Sequence, residues 1–139
     1  MRTLLLVLTL VVINAETGFA QKLSTVRKRS AAVAFFDEGR LRDLDGQAQM
    51  ENFRFFLKQI GEIVARDFPD IEFRVVGRGE LLRLPDGTGL NVENMQPELG
   101  YVLAARGRKR RVLSGPQSEL DFACAAAAFF RRPSSACPK

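Results

Sequence analysis

The chain has 139 residues, of which 46% are hydrophobic and 27% are charged, a composition typical of one globular domain. It contains no histidine or tryptophan, which excludes a Ser-His-Asp triad, a Cys-His pair and every metal site built on imidazole. Two cysteines are too few for a structural zinc site, and the formal charge is +5. We therefore expect no metal and no cofactor, and we favour a protein that is not an enzyme.

The first twenty residues are typical of a secretory signal peptide. Arg2 precedes an apolar run over residues 4–13, and small residues surround a cleavage point after Ala20, with cleavage after Ala15 as an alternative. The apolar core is roughly half the length of a membrane-spanning helix, so we expect membrane contact only during export, with a retained membrane anchor as the alternative. The mature protein is expected in the periplasm or outside the cell, where cysteines are oxidised.

The next segments predict a strand followed by a long helix. Residues 21–30 are polar and basic without periodicity, and we assign them to a flexible lead-in. The continuous apolar run over residues 31–36 predicts a strand buried on both faces. Apolar residues recur every three or four positions from Gln47 to Phe68, which predicts a helix with Asp45 as N-cap and Pro69 after its end.

Two hairpins follow a second strand. Residues 71–76 predict a strand that completes a βαβ unit with a right-handed crossover. The segment from Glu80 to Val92 predicts a short hairpin, and a short helix over residues 79–84 is the alternative. Gly100 to Ala105 and Arg110 to Ser114 predict an antiparallel hairpin with a basic tip.

The last predicted element is a helix that starts at Gly115 and continues to about Arg132. Ser118 or Ser114 is the candidate N-cap, and Pro133 ends the helix. Residues 133–139 form a C-terminal tail.

This order of elements over residues 31–132 predicts a single α/β domain, a mixed sheet with helices packed on it. It resembles the thioredoxin-like fold, most closely where Pro97 precedes an apolar strand, a basic turn, a second strand and a helix. The resemblance implies that Pro97 corresponds to the family's cis-proline and shapes its loop. In a redox-active member a Cys-x-x-Cys motif follows the first strand, but residues 37–46 contain no cysteine here. The family's usual redox activity is therefore not expected.

The two cysteines, Cys124 and Cys137, form one candidate disulfide. In an oxidising compartment such a bond would fold the tail back onto the last helix and contribute about 3 kcal/mol of stability. Free or intermolecular thiols and a redox-active pair are the alternatives.

Five positive charges lie within six residues of the predicted hairpin and form a candidate anion-binding surface: Arg106, Arg108, Lys109, Arg110 and Arg111. Such a concentration attracts anionic polymers, lipid headgroups or an acidic protein partner. The run contains no aromatic residue, so recognition of single-stranded or specific nucleic-acid sequences is not expected. A solvated turn with its charges offset by nearby carboxylates is the alternative.

These features favour an exported, non-catalytic domain that binds an anionic partner through the basic hairpin. One alternative is a thiol-disulfide or peroxide-reactive protein that uses Cys124 or Cys137. Another is a structural envelope or secreted protein whose hairpin edge pairs with another chain.

Overall fold

The computed structural model describes residues 22–138, and the predicted signal peptide lies outside these residues. None of the helices described there is long and apolar enough to cross a membrane. Two short 3-10 turns occupy Glu38–Arg40 and Val92–Asn94. The strands and α-helices are, in chain order, β1 (Lys22–Thr25), β2 (Ser30–Phe36), α1 (Leu44–Asp67), β3 (Glu72–Val76), β4 (Glu80–Arg83), β5 (Gly89–Asn91), β6 (Leu99–Ala105), β7 (Arg108–Ser114) and α2 (Glu119–Phe130).

The main sheet has four strands in the order β3-β2-β6-β7. β2 and β3 are parallel and are joined through α1, whereas β6 runs antiparallel to both β2 and β7. The protein is therefore an α/β domain with a mixed sheet, as predicted, and the βαβ unit and the second hairpin are confirmed.

Strand β2 is apolar at nearly every position because the main sheet is covered on both faces. Residues 31–35 are completely buried. Ala32 and Ala34 face a core cluster that includes α1 and α2 residues, while Val33 and Phe35 face a second cluster with residues of β4 and β5. The continuous apolar run is thus explained by two separate cores on opposite sides of one strand.

A second, three-stranded sheet has the order β1-β4-β5. β4 and β5 form the predicted hairpin, so the alternative of a helix over residues 79–84 is wrong. Lys22–Thr25, assigned above to a flexible lead-in, is instead strand β1 and pairs in parallel with β4. That assignment was wrong because β1 is mostly exposed and is held through backbone pairing, which leaves no hydrophobic periodicity.

Helix α1 begins earlier than predicted. Asp43, not Asp45, is the N-cap, since its backbone is extended and its carboxylate accepts a hydrogen bond from the amide of Gly46 at 2.7 Å. The helix ends at Asp67, and Pro69 follows within two residues, as expected.

Helix α2 is shorter than predicted and begins after Ser118, whose hydroxyl accepts from the amide of Asp121. Gly115 stays outside the helix with φ at +79°, in the left-handed region that favours glycine. The tail then returns to α1, where the hydroxyl of Ser134 donates to the carboxylate of Asp67 at 2.7 Å. The tail is therefore packed against the domain and held to it by this hydrogen bond.

Candidate anion-binding site

The basic hairpin, residues 106–111, joins β6 to β7. Ala105 pairs with Arg108, so the turn consists only of Arg106 and Gly107, and Gly107 has φ at +76°. Most of the charges were expected at the tip of the hairpin. Arg108 and the three basic residues after it lie instead on the edge strand β7.

A bulge changes the direction of the side chains on β7. Leu103 pairs with Arg111 and Ala105 with Arg108, so Lys109 and Arg110 together lie opposite a single residue of β6. An extra residue bends the strand and increases its twist. The bulge consequently places Arg108 and Arg111 on the same face of the sheet, the face on which α2 lies, although they are three residues apart.

A cleft of about 310 Å³ lies beside this hairpin, and we call it the basic cleft. Its lining comes from three segments: the start of β2, the β6–β7 turn and the end of α2. It contains four arginines and no carboxylate. The lining residues are Arg29, Ser30, Ala105, Arg106, Arg108, Phe130 and Arg132.

Antiparallel pairing brings the first two segments together. Ser30, the first residue of β2, is in register with Ala105, the last residue of β6. The amide of Arg106 donates to the carbonyl oxygen of Arg29 at 2.9 Å, which extends the pairing by one step. The two arginines therefore occupy adjacent backbone positions although they are distant in the sequence.

Arg108 is fixed against the end of α2. Its guanidinium donates a hydrogen bond to the carbonyl oxygen of Phe129 and lies with its central carbon 5.3 Å from the centre of the Phe129 ring. Both contacts favour a cation, since helix C-termini carry partial negative charge and aromatic faces attract guanidinium groups. Arg108 thus has an oriented side chain with unused N–H donors.

Arg132 is fixed by a carboxylate outside the cleft. Both terminal nitrogens of its guanidinium donate to the two carboxylate oxygens of Asp70. These hydrogen bonds lower the pKa of Asp70 and raise the pKa of Arg132, so the pair is ionised at neutral pH. Arg132 has further donors on the same guanidinium.

The remaining basic side chains form no close ion pair with a carboxylate among the described residues. Within residues 22–138, no carboxylate forms an ion pair with Arg29, Arg106, Lys109, Arg110 or Arg111. One terminal nitrogen of Arg110 is enclosed without a hydrogen-bond partner among these residues. Within residues 22–138 no close ion pair thus offsets the hairpin charges, and Asp121 lines a shallow cleft together with Arg111.

Cys124 and Cys137 form a disulfide, with their Cα atoms 4.9 Å apart. Both cysteines of the sequence are used, and no free thiol remains in the described part of the chain. The bond joins the middle of α2 to the tail, close to the contact between Ser134 and Asp67. The predicted pairing is present, and it attaches the segment that follows Arg132.

The loop after β2, where a redox motif would lie, holds a buried carboxylate. Asp37 is about 1% exposed and pairs with Arg40 at 3.0 Å and with Arg78 at 3.5 Å. The Gln96–Pro97 peptide bond is cis and lies shortly before β6. Among residues 22–138 no cluster of three or more acidic or sulfur ligands is placed to hold a metal ion.

Sequence reasoning located the hairpin charges but missed Arg29, Phe130 and Arg132. The only signal was that two short basic runs, at residues 27–29 and 131–132, lie next to predicted element ends. Comparison with known proteins adds no further candidate, because the chain matches no family model, no curated protein and no solved structure.

Proposed function

We propose that this chain is an exported, non-catalytic binding domain of thioredoxin-like architecture that binds an anionic partner through the basic cleft and the basic hairpin. The observation that carries the proposal is the convergence of four arginines from three segments on one cleft that no carboxylate lines. Arg29, Arg106 and Arg108 have no ion pair within residues 22–138, so their positive charges repel one another, and such an arrangement is stabilised when an anion occupies it.

The thioredoxin-like part of the proposal is supported by strand order and direction. A parallel pair joined through a helix, followed by an antiparallel hairpin and a closing helix, is the order that the sequence resemblance implies. The cis Gln96–Pro97 bond lies before β6, at the position of the family's cis-proline. The lack of cysteine between residues 37 and 46 supports a binding role over a redox role.

The two rival functions have less support. A thiol-based enzyme needs an accessible thiolate, whereas Cys124 and Cys137 are joined to each other across the tail. Pairing through the hairpin edge would use β7, and the charges of Arg108–Arg111 on this edge strand oppose pairing with a second strand.

The test is retention of the mature protein on an immobilised sulfated polysaccharide, eluted with a salt gradient. The hairpin variant carries Arg106→Gln, Lys109→Gln and Arg111→Gln, three exposed residues without ion pairs in residues 22–138. The control variant carries a matched loss of three charges at exposed positions elsewhere: Lys22→Gln, Lys58→Gln and Arg83→Gln.

The hairpin variant is expected to elute at clearly lower salt than the control variant, because a local site depends on where the charges lie and not only on their sum. Circular dichroism and thermal unfolding would show that both variants are folded. Equal elution of the two variants would contradict the proposal, since retention would then follow net charge alone.

A further inference from the structure

The basic cleft has donors that approach one space from different sides. Arg29 comes from the segment before β2, Arg106 and Arg108 from the two sides of the β6–β7 turn, and Arg132 from beyond α2. Resting on the anion-binding function proposed above, we propose that the cleft binds a phosphate or sulfate group carried on a polymer, and that β7 contacts the neighbouring charged group.

The number and direction of the donors distinguish a tetrahedral oxyanion from a carboxylate. A carboxylate presents two oxygens in one plane and is satisfied by a single guanidinium, as Asp70 is by Arg132 in this structure. A phosphate or sulfate monoester has three free oxygens that point in three directions. Guanidiniums from three segments match three divergent acceptors, so the cleft favours the tetrahedral group.

Two of the arginines are already oriented without a ligand. Arg108 is held by the carbonyl and ring of Phe129, and Arg132 by Asp70. Each uses only part of its five N–H donors in these contacts. Arg29 and Arg106 have no ion pair within residues 22–138 and are available to the ligand. Fixed donors bind more tightly because less side-chain freedom is lost on binding.

The size and floor of the cleft favour an ester over a free ion. Its volume of about 310 Å³ is near the lower limit for small-molecule sites and exceeds what one phosphate or sulfate ion fills. Ala105 and Phe130 line it together with the arginines and offer apolar contact to the carbon skeleton that carries the charged group. The charged group would face the arginines and the skeleton would lie on the apolar side.

The basic edge of the sheet continues beyond the cleft, which favours a polymer. Arg111 lies three residues after Arg108 on β7, and because of the bulge it is two pairing steps, about 7 Å, further along the sheet edge. Lys109 and Arg111 are both exposed there. The turn itself contains Arg106 and Gly107 and has no apolar side chain to enter a bilayer, so a soluble polymer fits this surface better than a membrane.

The experiment measures binding of the mature protein to three soluble polymers of similar charge density: dextran sulfate, dextran phosphate (dextran that carries phosphomonoesters) and polyglutamate. The cleft variant carries Arg29→Gln and Arg106→Gln, and the strand variant carries Lys109→Gln and Arg111→Gln, so both lose two charges. A third variant, with Arg29→Lys and Arg106→Lys, keeps the charge and loses the planar guanidinium. Vesicles of phosphatidylcholine with phosphatidylglycerol test the membrane.

The wild type is expected to bind the sulfate or phosphate polymer about tenfold more tightly than polyglutamate. Of the sulfate and phosphate polymers, the one that binds with higher affinity identifies the preferred oxyanion. In the cleft variant and in the lysine variant this preference should fall to about threefold or less, whereas the strand variant should weaken all polymers and keep the preference.

Three results would overturn the inference. Equal affinity of the wild type for all three polymers would refute it while leaving the anion-binding function standing, and retention of the preference by the cleft variant would do the same. Binding to vesicles that is as tight as binding to polymers and is lost in the cleft variant would assign the cleft to a lipid headgroup. Absence of binding to any polymer would instead refute the proposed function itself.

Discussion

Gly100 is the position where the fold tolerates a side chain least. A Cβ added there would overlap the backbone oxygen of Leu113 on β7 and would lie 3.3 Å from the ring of Phe35. The oxygen belongs to the main chain and cannot rotate away, so Gly100→Ala forces β6 and β7 apart where Gly100 pairs with Ser114. We expect a loss of about 3 kcal/mol, from overpacking and from weakened hydrogen bonds between the strands.

For a domain of this size, such a loss lowers the melting temperature by about 12 °C. It lowers the urea midpoint by about 2 M at a typical denaturant dependence of about 1.5 kcal/mol per M. The control is Gly89→Ala, the same substitution on strand β5, where the nearest atom is 3.3 Å away and belongs to the mobile side chain of Leu81. We expect this control to lie within about 1 kcal/mol of the wild type. Equal losses for the two variants, or a loss below about 1 kcal/mol for Gly100→Ala, would refute the reasoning.

Three further predictions concern the tail and the core. Replacing both Cys124 and Cys137 with serine should cost about 3 kcal/mol in urea unfolding, because the bond closes a loop between residues 13 apart; an undiminished midpoint would contradict a stabilising role. The hydrogen bond from Arg66, together with those from the tail serines, outweighs burial and lowers the pKa of Asp67, so its contribution is present above about pH 4 and is lost as the pH falls. Asp67→Asn should therefore flatten the acid side of a plot of melting temperature against pH, and an unchanged slope would count against the assignment. Burial raises the pKa of Tyr101, the single tyrosine of the sequence, so stability should fall as the pH rises above about 10, and tyrosinate absorbance should appear together with unfolding. A reversible titration near pH 10 in the folded protein would disprove this.

Most elements of the fold were predictable because their signals are local. The apolar run at residues 31–36 and the three-to-four periodicity of α1 each lie within one stretch of chain. Glycine and proline residues likewise indicated where the strands of both hairpins begin and end. Strand β1 carried no such signal, since Leu23 is exposed and the strand depends on backbone hydrogen bonds with β4, more than fifty residues later.

The candidate site was predictable only where its charges are contiguous in the sequence. The basic run over residues 106–111 can be recognised directly in the sequence. The position of Arg29 and Arg132 in the cleft depends instead on the register of β2 with β6 and on the residue at which α2 ends. That end is shifted from the predicted one because Arg131 adopts a left-handed conformation, with φ at +57°. Tertiary pairing, and not local propensity, thus decides which basic residues share the cleft.

The pairing of β1 with β4 determines how the arginine cleft would be oriented if the protein were immobilised through Lys22. The amide of Lys22 donates to the carbonyl of Gly79, and the adjacent Arg78 contacts Asp37, which directly follows the last residue of β2. The arginine cleft lies beside Ser30 at the first residue of the same strand, about 20 Å away for seven extended residues. Immobilising the protein through the exposed side chain of Lys22 would therefore leave the arginine cleft accessible near the opposite end of β2.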